Sequence, residues 1–126
     1  MPTALNLTQE QITRYRASVH KRYQREKADI ERRREQAWEA ANQAAHILKV
    51  QFNATRVVVF GSLIHKAGFT RWSDVDIAAW GIAPEDTFRA IGVISELKTD
   101  VPVNLVDVNT ARTSLVQVIA RDGIEL

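Results

Sequence analysis

Apolar positions fall into two regimes along this chain, and the change between them lies near residue 53. From Thr8 to about Phe52 no Gly or Pro interrupts a run dominated by strong helix formers. Thr8-Gln9-Glu10-Gln11 reads as a capping box, in which the threonine hydroxyl accepts from a first-turn N–H and Gln11 reaches back. One continuous helix here would be about 65 Å long. Its apolar pattern comes in two pieces: Ile12, Tyr15, Val19 and Tyr23, then Trp38, Ala41, Ala45, Leu48 and Phe52. Between them, residues 24–36 contain a single large apolar side chain, Ile30. The second piece is expected to pack on the rest of the chain. The first has no evident partner, so it is expected to fold back or to meet another chain.

Beyond Asn53 the period shortens. Arg56–Phe60 reads as a buried strand, Leu63–Lys66 as a short helix ending near Gly68, and Ser73–Trp80 as a second strand. Pro84 opens a helix running to about Leu97, with Glu85 and Asp86 near its positive end. Val101–Val108 is a third strand, and Thr110–Arg121 a closing helix ended by Gly123. The expected fold is α+β (α/β in the broad sense): a small mixed β-sheet with flanking helices, preceded by a long N-terminal helix. The expected division is a helical arm, 1–50, and a compact domain, 51–126.

Composition narrows the function classes. The chain has 126 residues and no cysteine, which removes disulfides, thiolate metal sites and cysteine nucleophiles. No apolar run approaches the ~20 residues of a membrane span, and Met1–Asn6 lacks the basic and apolar regions of a signal peptide. A cytoplasmic location is therefore expected, with no membrane partner. The net charge of +2 is uneven: residues 1–50 carry ten Lys/Arg against six Asp/Glu, residues 51–126 seven against nine. Arg32-Arg33-Arg34 invites two readings, a solvated helix face with Glu–Arg pairs or a basic recognition surface. Glu31 and Glu35 flank the run and dilute its field, which argues against nucleic acid as the partner.

The chemistry concentrates after the first strand. Arg56–Phe60 runs into Gly61-Ser62, and after eleven intervening residues the second strand opens with Asp74-Val75-Asp76. Strand alternation sends both aspartates to one face and Val75 to the core. Two carboxylates on one face suit Mg²⁺, which takes oxygen ligands and keeps several waters. Gly61 allows a close phosphate approach, and Ser62 sits where a following helix would expose free N–H groups. An ordinary strand-to-helix turn with a serine cap explains Gly61-Ser62 equally well in isolation. An exposed turn explains Asp74, yet leaves Asp76 inside an apolar strand.

Phe60-Gly61-Ser62 with Ser73-Asp74-Val75-Asp76-Ile77-Ala78 resembles the signature of the DNA polymerase β-like nucleotidyltransferases. In particular it resembles the minimal nucleotidyltransferases, small proteins often encoded beside a HEPN-type ribonuclease toxin. The resemblance spans about Leu48 to the C-terminus, including Val103–Val108 and Ile119–Gly123. It implies the polymerase β-like fold and transfer of a nucleoside monophosphate, AMP above all, from ATP or another NTP with Mg²⁺. It further implies a protein acceptor such as the HEPN toxin, which makes the chain an antitoxin. By residue, Asp74 and Asp76 would bind metal and catalyse, while Gly61 and Ser62 would hold the triphosphate. Lys66 and Arg71, in the loop between, are candidate triphosphate contacts. His65 reads as an ordinary helix histidine.

Two departures stand out. The spacing from Gly61-Ser62 to Asp74 is slightly longer than the family's. More consequentially, the family's third carboxylate falls on Asn104, with Asp107 following three residues on. Asparagine offers one neutral carbonyl oxygen and cannot act as a base. Residues three apart face opposite sides of a strand, so Asp107 substitutes only across a bulge. Asn104 or Asp107 is thus the candidate auxiliary ligand. The competing expectation is a catalytically weakened interaction protein that keeps the nucleotide and neutralises its partner by binding, or self-associates through the arm.

Overall fold

A computed structural model describes residues 6–126. The absent signal-peptide pattern read at the N-terminus therefore lies almost wholly outside the described residues.

Helix α1, Gln9–Gln51, is one unbroken helix of 43 residues. Its start is the expected capping box: the Gln11 N–H donates to Thr8 Oγ1 at 3.1 Å, and the Thr8 N–H donates to Gln11 Oε1 at 2.8 Å. Of the two outcomes expected for the first apolar piece, folding back is corrected, because nothing between Gln9 and Gln51 breaks the helix. Tyr15, Val19 and Tyr23 stay exposed. From Ala37 onward the helix belongs to the core. Ala37, Ala40, Ala41, Ala44, Ala45 and Leu48 are all buried, their small side chains letting the helix lie close on the sheet.

Four strands follow: β1 (Arg56–Phe60), β2 (Val75–Trp80), β3 (Val103–Asp107) and β4 (Ile124–Glu125), in the order β3-β2-β1-β4. β1 pairs antiparallel with β2 and with β4, while β2 and β3 are parallel. A parallel neighbour requires a crossover. It is supplied by a 3₁₀ turn at Pro84–Asp86 and helix α2, Thr87–Ser95. Strand β4 escaped the sequence reading, since two residues carry no alternation.

Alternation sorts the sheet into two faces. Val57, Val59, Val75, Ile77, Ala79 and Val103 pack under α1 and under Ala90 and Ile94 of α2. Val58 and Ala78 face Ile119 of helix α3, Thr113–Asp122, with Phe60, Trp80 and Val106 around them. Gly123 ends α3 in a β-region conformation, not a left-handed one. Its glycine identity has a packing cause: a Cβ there would lie 2.1 Å from Val58 Cγ1. Among the described residues no helix is long and apolar enough to cross a membrane.

Candidate functional site

The site forms where β1 ends beside the start of β2. Gly61 adopts φ +78°, in the region that favours glycine, and a Cβ on it would stand 2.9 Å from Asp76 Oδ2. Both backbone conformation and the neighbouring carboxylate therefore exclude a side chain there. The expected short helix is instead two 3₁₀ turns, Gly61–Ile64 and Lys66–Gly68. Phe60, not Ser62, occupies the cap position, and no side chain caps the turn. Ser62 is half-buried and its carbonyl accepts from the His65 N–H at 3.2 Å. Buried Leu63 anchors the turn to the core.

Strand register completes the arrangement. Phe60 pairs with Asp76 across β1–β2, and Asp76 with Asn104 across β2–β3. Asp76 and Asn104 thus share a face, and Asn104 Nδ2 donates to Asp76 Oδ1 at 3.4 Å. Burial pushes the Asp76 carboxyl above its ordinary value; the Asn104 bond works against this, and the charge of Asp74 adds to it. Asp74, half-buried just before β2, has Arg33 as its ion-pair partner, Nη2 to Oδ1 at 3.7 Å. The preceding turn is held separately, with the Thr70 N–H donating to Ser73 Oγ at 2.9 Å.

The other sequence-nominated residues lie elsewhere. The β2–β3 register runs unbroken from Val75↔Val103 to Ala79↔Asp107, so there is no bulge. Asp107 therefore sits three residues beyond Asn104, at the far end of β3 and with the opposite facing. Its carboxylate accepts from the Asn109 N–H at 3.0 Å and the Thr110 hydroxyl at 2.9 Å, fixing the turn after β3. The structure does not bring Asp107 to the aspartate pair. Lys66 lines a groove against α1 with Tyr23 and Ile30. Arg71 lies over the Trp72 ring, 5.2 Å from its centroid. Neither makes a hydrogen bond or ion pair with Asp74 or Asp76. His65 is exposed beside them.

Sequence reasoning missed Arg33 and Arg34. Arg33 donates to the Ser73 carbonyl from Nε (3.3 Å) and Nη2 (3.0 Å) as well as pairing with Asp74. Arg34 Nη2 donates to the Leu63 carbonyl at 3.2 Å, and its Nε is buried without a partner among the described residues. Consecutive arginines of α1 thus hold both segments that frame the aspartates. Arg32 alone behaves as a solvated residue, pairing with Asp29 at 3.7 Å. The available signal was phase: Arg33 and Arg34 fall between Ile30 and Ala37, on the side of the helix that packs on the domain.

The donor set fits a hard divalent cation. Asp74 and Asp76 offer carboxylate oxygens whose mutual repulsion a cation would relieve, and Asn104 keeps a carbonyl oxygen to offer. Among the described residues no group of three or more His, Cys, Asp or Glu could hold a metal ion, so water and substrate oxygens would complete the shell. Comparison with protein-family models, curated proteins and solved structures finds no match to this chain.

Proposed function

We propose that this protein is a Mg²⁺-dependent nucleotidyltransferase of the polymerase β-like kind, moving AMP from ATP to a hydroxyl on a protein acceptor. The observation that carries the reading is the cluster of Gly61, Asp76 and Asn104 across three strands, with Asp74 beside it. Asp74 and Asp76 would hold Mg²⁺, which supplies charge neutralisation at the phosphates and the leaving diphosphate. Gly61 lets the Asp76 carboxylate come up against the backbone of the turn, so that metal held by Asp76 would lie beside the turn's N–H groups and the Ser62 hydroxyl. Arg33 keeps Asp74 in place through the Ser73 carbonyl. Catalysis would rest on positioning and charge stabilisation of an in-line displacement. Asn104 supplies no base, so the acceptor hydroxyl would lose its proton to Asp76 or to solvent. The resemblance to minimal nucleotidyltransferases points to a HEPN-type toxin as acceptor and to an antitoxin role.

Asn104 favours a second reading, in which the site binds Mg²⁺·ATP without turnover and the partner is neutralised by binding. Incubation with ATP labelled at the α-phosphate, Mg²⁺ and the protein encoded by the adjacent gene separates the two. Label on that protein, lost with Asp76→Asn, supports transfer. Absence of label with partner neutralisation intact in Asp76→Asn supports binding alone.

A further inference from the structure

The face of α1 that packs on the domain does not stop where the domain stops. At about 100° per residue, Ile12, Val19, Tyr23, Ile30, Ala37, Ala41 and Leu48 lie within about 20° of one line. The last three are buried and Ile30 is half-buried, whereas Val19 is 42% and Tyr23 61% exposed. One apolar stripe is thus half covered by the protein's own sheet and half overhanging. Hollows run along the overhang: about 350 Å³ against Tyr15, Val19 and Tyr23, and about 380 Å³ where Tyr23 and Ile30 meet Lys66 and Ala67, with Glu26 and Glu31 matched by Lys27 and Arg34 in its lining.

Charge selects the occupant. Residues 12–30 contain six Lys/Arg and two carboxylates, Glu26 and Asp29. By helical phase Arg16 and Lys27 border one side of the stripe; on the other, Glu26 lies nearest and Arg22 beyond it. A second copy of the arm would set these cations against their own kind, and like charges across a helix pair are unfavourable. A nucleic-acid duplex would meet the cations but offers little apolar surface for Ile12, Val19 and Ile30. We propose that the overhang is a docking site for an acidic amphipathic helix of another protein, its apolar stripe on Ile12–Ile30 and its flanking carboxylates on Arg16, Arg22 and Lys27. This inference stands on the arm alone and survives failure of the transferase reading.

The test uses the full chain and a labelled synthetic 20-residue peptide with leucines at helical spacing flanked by glutamates. Fluorescence anisotropy at 0.15 M salt is expected to show saturable binding. Val19→Ala/Tyr23→Ala should weaken it at least tenfold, and Arg22→Ala/Lys27→Ala several-fold, while both variants keep the wild-type circular dichroism and melting temperature. A peptide of the same composition with its stripe scrambled should bind at least tenfold more weakly. The proposal is overturned by absence of binding, by equal binding of the scrambled peptide, or by a DNA duplex that outcompetes the peptide. Sedimentation as a dimer that Val19→Ala/Tyr23→Ala dissociates would equally overturn it, assigning the face to a second copy.

Discussion

Asp76 is where burial, charge and register meet. Its carboxyl is raised by burial and then by Asp74, so the folded protein holds that proton more tightly than the unfolded chain. The stability this contributes is full below the unfolded value of 3.8 and is lost as pH rises through the folded value. At pH 7 the ion-free protein therefore carries an unfavourable charge there. Asp76→Asn should melt at a higher temperature than wild type without divalent ions, with the difference growing from pH 4 to pH 7 in differential scanning calorimetry. Mg²⁺ should raise the melting temperature of wild type and leave that of Asp76→Asn nearly unchanged. Asn104→Asp sharpens the same logic: a third carboxylate opposite Asp76 should lower stability without Mg²⁺, with the loss recovered when Mg²⁺ is added. The same variant should raise any AMP transfer at least tenfold. The aspartate pair was legible in the sequence because a carboxylate inside an apolar strand demands a reason. The separation of Asp107 from the pair was legible only as a conditional, since alternation forbids the contact unless a bulge intervenes, and the register settled that none does.

Elements were readable where periodicity is long and less so where one or two residues decide. The capping box, α1 and the first three strands follow from spacing. The turn after Gly61 closes as 3₁₀ instead of α-helix, because only four residues separate the end of β1 from His65. The dual role of α1 was hidden by composition: three arginines in a row look solvated, yet Arg33 and Arg34 reach the carbonyls of Ser73 and Leu63. Hydrogen bonds from charged donors contribute about 1.5–3 kcal/mol each. Arg33→Ala should thus lower unfolding free energy by about 1–2 kcal/mol in urea titrations, whereas Arg32→Ala should stay within about 0.5 kcal/mol of wild type. Equal effects from the two would refute the clamp. At the other end of the sheet, a Cβ on Gly123 would collide with Val58 and with the Ile119 carbonyl. Gly123→Ala should cost about 1–3 kcal/mol through overpacking.

The whole molecule is a small α+β body with a helix that outruns it. The sequence left open whether the helical run ends as a rod or a hairpin, and it forms one continuous helix of 43 residues. Its packed half, Ala37–Leu48, builds the core, while Arg33 and Arg34 brace the site. The overhang is continuous, through one helix, with the Arg33 that pairs with Asp74, so a partner docked on the arm as proposed would hold a defined position relative to the aspartates. A candidate chemistry was legible, two carboxylates beside a Gly-Ser turn, but an acceptor was not, because no residue of the site describes one. The central claim is that Asp74, Asp76 and Gly61 together form a Mg²⁺–nucleotide site. Isothermal titration of ATP into the protein, with Mg²⁺ and then with EDTA, tests it most directly. Binding at one site per chain that requires Mg²⁺ and weakens at least tenfold in Asp76→Asn is the predicted result. Binding unchanged by EDTA or by Asp76→Asn, or no binding at millimolar ATP, would contradict it.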